Sequence, residues 1–64
     1  MNKPVFISAR EALERYGVVD VRTLKAWARD GMILYQVLYP NKRKQVWFFE
    51  SPEARYERTM ATNL

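Results

Sequence analysis

The chain has 64 residues, a net charge of +4, no cysteine and no histidine. That length allows one domain, and the missing residue types exclude a disulfide framework and the usual zinc sites, so stability must come from apolar packing or from a partner. The 48% hydrophobic content with nine aromatics suits a folded domain, and the single domain expected spans residues 1–64. No apolar run approaches the ~20 residues that cross a bilayer. The start, Met1-Asn2-Lys3-Pro4-Val5-Phe6-Ile7, is too short in apolar residues for a signal-peptide core. An intracellular, cytoplasmic protein without membrane association is expected. The charge is segregated: residues 22–44 carry +5, from Arg22, Lys25, Arg29, Lys42, Arg43 and Lys44 against Asp30, whereas the rest carries −1. A surface for a polyanion has this footprint, and so does one for an acidic protein.

Ser8-Ala9-Arg10-Glu11 fits a capping box, and Ala9, Ala12, Leu13 and Tyr16 follow with the spacing of one buried helical stripe. A helix over 9–16 is predicted, stopped by Gly17. Asp20 suits the N-cap of a second helix over Val21–Asp30 that Gly31 ends, with Val19 and Leu24 at the positions of a hydrophobic staple. Val21, Leu24, Trp27 and Ala28 fall on one side of it, and Arg22, Lys25, Ala26 and Arg29 on the other. Two helices joined by a short glycine-containing turn make a helix-turn-helix candidate over about residues 8–31.

Residues 33–39 and 45–49 are rich in β-formers and flank the turn Pro40-Asn41-Lys42-Arg43-Lys44, so a β-hairpin is expected over about 33–49. Trp47, Phe48 and Phe49 cannot all face one way along a strand. Ser51-Pro52-Glu53 opens a third helix, expected from Pro52 to Thr59 or Met60, with Ala61–Leu64 frayed. The expected fold is α+β, mainly helical: a winged helix-turn-helix of two helices, a β-hairpin wing and a C-terminal helix.

A recognition helix must present several donors on one exposed face. Arg22, Lys25 and Arg29 meet that spacing, Ala26 between them permits close approach, and Thr23 at the flank suits a phosphate. The hairpin tip adds Lys42, Arg43 and Lys44, with Arg43 suited to a minor groove and the two lysines to phosphates. Taken alone, such a tip equally suits solubility, and most helical charge simply faces solvent. Glu50, Glu53 and Glu57 are the acids of the last third of the chain. Glu53 fits a helix N-terminus, and Glu57 with Arg58 an exposed face. With no phosphate loop, nucleophile motif or histidine base, neither catalysis nor a cofactor or metal is expected.

The run Arg22-Thr23-Leu24-Lys25-Ala26-Trp27-Ala28-Arg29-Asp30-Gly31-Met32-Ile33 resembles the second helix of the MerR-like winged-helix superfamily, whose small members include phage and conjugative-element excisionases (recombination directionality factors). Ile7–Ala12 resembles that family's opening helix. Trp47-Phe48-Phe49 with Ser51-Pro52-Glu53 resembles its return strand and third helix, so the similarity covers about residues 6–58. The resemblance implies Arg22, Thr23, Lys25 and Arg29 at DNA and Trp27 in the core. The family's wing has basic residues directly before the return-strand aromatic. Here Gln45 and Val46 stand there and the basic cluster lies at 42–44. No coiled coil or effector domain of full-length MerR regulators is recognisable, so effector sensing is not implied.

The expected function is sequence-specific binding of double-stranded DNA, as an excisionase or as a small transcriptional regulator of a bacterial mobile element or phage. The partners this implies are duplex DNA, a site-specific recombinase (integrase) and further copies on adjacent sites. Two alternatives remain: an interaction module whose basic surface meets an acidic protein in a phage-like assembly, and a small terminase-type packaging subunit, which shares the fold.

Overall fold

The computed structural model describes residues 5–62. The expectations for Met1–Pro4 and for Asn63 and Leu64 lie outside them. The order of elements is β1 (Phe6–Ser8), α1 (Ala9–Tyr16), α2 (Val21–Arg29), β2 (Tyr35–Asn41), β3 (Lys44–Glu50) and α3 (Pro52–Thr62). It is a small α+β fold of three helices and a three-stranded antiparallel sheet in the order β1-β3-β2.

Local chemistry sets most boundaries. Ser8 Oγ accepts from the Glu11 amide at 3.2 Å, and α1 stops at Gly17, whose φ of 71° is open to glycine at no steric cost. The Glu11 carboxylate reaches Arg15 at 3.5 Å rather than completing a reciprocal box. Asp20 caps α2 by accepting from the Arg22 amide at 2.9 Å. At its other end Gly31 (φ 81°) turns the chain so that the Met32 amide donates to the Trp27 carbonyl at 2.9 Å. Ser51 caps α3 through its side chain, which accepts from the Ala54 amide.

Four expectations about the elements and their boundaries are corrected. The opening segment is a strand as well as a cap: Phe6, Ile7 and Ser8 pair with Glu50, Phe49 and Phe48. Three residues are too few to display a period, and their partner lies some forty positions away. The staple does not form, because Val19 is 98% exposed and Val18 packs against the core instead. The first hairpin strand begins and ends two residues later than expected, continuing through Pro40 to Asn41, and the second extends one residue further at each end, leaving Lys42-Arg43 as the loop. An irregularity between Leu38 and Asn41 accommodates the proline, which has no N–H for the ladder. Helix α3 runs to Thr62, past the expected end and through part of the segment expected to fray.

The core joins one sheet face to the first two helices. Ile7, Ala12, Leu24, Ala28, Ile33 and Phe49 are buried, and Ala9, Leu13, Tyr16, Val18, Val21, Trp27 and Trp47 pack around them. Phe49 stands on the central strand between Ile7 and Tyr35 and is fully buried.

Glu50, only 1% exposed, ties the remaining elements together. Its carboxylate accepts two hydrogen bonds of 2.8 Å from Arg58 on α3, and one of 3.1 Å from the Leu34 amide ahead of β2. Its amide donates to the Leu34 carbonyl, and its carbonyl accepts from the Tyr16 hydroxyl of α1 at 2.5 Å. Arg58 therefore pairs inward with Glu50 rather than serving an exposed face with Glu57. The Arg58 hydrogen bonds hold the Glu50 carboxyl below its ordinary value, against the opposing effect of burial, and the Leu34 amide helps. Burial and the neighbouring Glu50 charge raise the Tyr16 hydroxyl.

A folded-state pKa below the unfolded one gives stability that is present above the unfolded value, here near 4.5, and is lost as pH falls through the folded one. Glu50→Gln should therefore cost about 2 kcal/mol near neutral pH, the worth of charge-assisted bonds exchanged for neutral ones. The gap to wild type should close in acid. Urea unfolding of both proteins across the acid range checks this, and a gap independent of pH would remove Glu50 as the source.

Candidate nucleic-acid interface

Arg22, Thr23, Lys25, Ala26 and Arg29 all lie on α2. Arg22, Ala26 and Arg29 are exposed, and Thr23 and Lys25 are half-buried. The apolar side turns inward as expected: Leu24 and Ala28 are buried, and Trp27 meets the Tyr16 ring edge-on with centroids 6.0 Å apart. Lys42, Arg43 and Lys44 are exposed at the end of the β2–β3 hairpin, where the Arg43 amide donates to the Asn41 side chain at 2.9 Å and fixes the turn.

Two relations were not readable from sequence. The Arg22 guanidinium is folded back on the N-cap, donating to the Asp20 carboxylate from Nε at 3.0 Å and from Nη2 at 2.7 Å. These side-chain bonds, with the Arg22 amide bond, lower the Asp20 pKa, and the same side-chain bonds raise that of Arg22. Arg22 nevertheless stays 87% exposed, so the cap anchors it without covering it. The i, i+2 spacing of Asp20 and Arg22 was visible in the sequence, but its reading as a cap left no role for the second carboxylate oxygen.

The second relation joins the helix to the hairpin. The Lys25 ammonium sits 4.8 Å from the centre of the Trp47 ring. Trp47 lies between Tyr35, at 5.2 Å and 18°, and Phe49, at 5.9 Å and 24°. A row of three rings thus runs along the inner sheet face, and Lys25 closes over its middle member. The basic side of α2 therefore abuts the middle of β3, the strand that leads away from the basic tip.

The cations divide into two groups. Outside residues 22–44, Arg15 pairs with Glu11 and Glu53, Arg55 donates to the Met32 carbonyl at 3.1 Å, and Arg58 binds Glu50. Within that block, among the described residues, no carboxylate lies within ion-pair distance of Lys25, Arg29, Lys42, Arg43 or Lys44. A surface concavity lined by Ser8, Arg10, Glu11, Glu14 and Arg15 involves none of these cations. Among the described residues no acidic cluster suited to a metal ion occurs, and no helix is long and apolar enough to cross a membrane.

No protein-family model, curated protein or solved structure matches the chain.

The Lys25–Trp47 contact should be worth ~0.5–1 kcal/mol. A double-mutant cycle of Lys25→Met and Trp47→Leu by chemical denaturation should return a coupling of about that size. Strictly additive costs would leave Lys25 merely adjacent to the ring.

Proposed function

We propose that this chain is a sequence-specific double-stranded DNA-binding protein of winged helix-turn-helix type, in which α1 and α2 form the helix-turn-helix and the β2–β3 hairpin is the wing. The observation that carries this reading is the division of its cations. The arginines outside the 22–44 block are bound to carboxylates or backbone carbonyls, apart from exposed Arg10, whereas Lys25, Arg29 and the three tip cations have no carboxylate partner among the described residues. Uncompensated cations on two adjoining elements form a field that a phosphate backbone neutralises, with release of its counterions.

Arg22 and Arg29 are the readers of base edges in this arrangement, Ala26 leaves room for the groove floor, and Thr23 and Lys25 serve phosphates. At the wing, Arg43 enters the minor groove and Lys42 and Lys44 hold the flanking backbone. Such a protein acts as an excisionase, bending or bridging sites for a recombinase, or as a small regulator of a mobile element. It is a binding protein rather than an enzyme.

Fluorescence-anisotropy titration of duplex DNA at several salt concentrations tests the proposal. With ~4–6 phosphates neutralised, log affinity should fall against log salt with a slope of about −4 to −5, and alanine at positions 42, 43 and 44 together should flatten it by ~2–3. Charge reversal of Arg22 and Arg29 should abolish binding. Asp20→Asn keeps a capping oxygen while freeing the Arg22 guanidinium, and should raise affinity several-fold. Absence of binding at low salt would overturn the reading in favour of an acidic protein partner.

A further inference from the structure

The three cations of α2, Arg22, Lys25 and Arg29, are not equivalent. Among the described residues Lys25 and Arg29 have no carboxylate within ion-pair distance, whereas Arg22 has Asp20 at 2.7 Å. One carboxylate serves both ends of that residue. Asp20 Oδ1 accepts from the Arg22 amide and caps the helix, while Oδ2 accepts from Nε and Nη2 of the Arg22 side chain. The i, i+2 spacing at a helix start allows this, because an N-cap side chain lies over the amide two residues on. The Arg22 side chain is nevertheless 87% exposed.

Those two side-chain bonds occupy one edge of the guanidinium. The other edge, formed by Nη1 and the second hydrogen of Nη2, keeps a fixed fork of two donors. Guanine is the base whose major-groove edge offers two acceptors, N7 and O6; adenine and cytosine place an amino donor there, and thymine a methyl group. A phosphate also fits the fork, but it brings a negative charge up to the Asp20 carboxylate across the width of the guanidinium, whereas a guanine edge is neutral. The ion pair sums to zero charge, so it adds little to the long-range attraction of a polyanion, which falls to Lys25, Arg29 and the hairpin tip. Arg22 then contributes only where its fork fits.

We propose that Asp20 determines base specificity: it holds Arg22 toward a guanine in the major groove and withholds it from phosphates, so that the bound site contains an obligatory guanine facing the start of α2. The inference rests on the DNA-binding reading above, and adds to it the base that is read and the residue that enforces the choice. Asp20 is a positioning residue, acting through Arg22 rather than on DNA. Holding the guanidinium in advance also reduces the rotamer freedom lost on contact, which is large for arginine. Selectivity is gained and affinity lost, because the carboxylate repels nearby phosphates whatever the base sequence.

Duplexes selected from a randomised pool by the full chain, then varied singly at each position in anisotropy titrations at one salt concentration, test this. Wild type should require one guanine, whose replacement by any other base weakens binding about tenfold or more. Arg22→Lys keeps the charge without the fork, and should bring that preference to within about twofold while leaving the other positions unchanged. Asp20→Asn keeps a capping oxygen, so its melting temperature should stay close to that of wild type. Its binding of random duplex should strengthen several-fold, while its guanine preference falls about threefold or more. A site without such a guanine, a preference that Asp20→Asn leaves intact, or an equal weakening at every position would overturn the inference with duplex binding still standing. Absence of binding to any duplex at low salt would overturn it together with the reading on which it rests.

Discussion

A carboxylate that is almost fully buried must find partners, and the way Glu50 finds them holds the molecule together. Its side chain is satisfied by Arg58 and by the Leu34 amide, and its carbonyl by Tyr16. One residue at the end of the central strand therefore links α1, the lead into β2, and α3. Phe49, its neighbour, is fully buried on the other face and anchors the apolar core. The pair shows how a strand's alternation serves a chain this short: one position supplies hydrophobic contact and the next supplies polar cross-links. A small domain buries too little apolar surface to spare either contribution.

That arrangement also explains how the charge is distributed. Apart from exposed Arg10, α1 and α3 use their arginines internally: Arg58 on Glu50, Arg55 on the Met32 carbonyl and Arg15 on Glu53. The acids outside the 22–44 block are largely consumed in the same way, with Asp20 committed to the α2 cap and Arg22. Without a carboxylate or carbonyl partner among the described residues are Arg10, Lys25 and Arg29 on the helices and Lys42, Arg43 and Lys44 at the hairpin tip. Excess charge on a small protein costs stability by self-repulsion, and here most of it lies on exposed side chains, with Lys25 resting on the Trp47 ring.

The row of Tyr35, Trp47 and Phe49 connects these parts. Phe49 belongs to the core, Tyr35 to the outer strand, and Trp47 between them carries Lys25 on its face. The orientation of α2 is thereby referred to the hairpin through aromatic packing rather than through a flexible loop. An interface built on both elements presents its two basic clusters in a fixed relation, which limits the entropy lost on binding a rigid partner.

Much of this was legible in the residues. The caps at Ser8, Asp20 and Ser51, the stop at Gly17 and the inward stripe of α2 are local, decided within three or four positions, and they appear as expected. The sorting of basic from mixed-charge segments is likewise a property of the chain alone. Local signals could also mislead: Val19 occupies a staple position, yet the turn leaves it 98% exposed. Strand β1, the inward turn of Arg58 and the contact of Lys25 with Trp47 join positions far apart in the chain. Local helix geometry repeats within a turn and can be read from neighbouring residues. Which strands become neighbours is set only when the whole chain closes over Phe49 and Glu50.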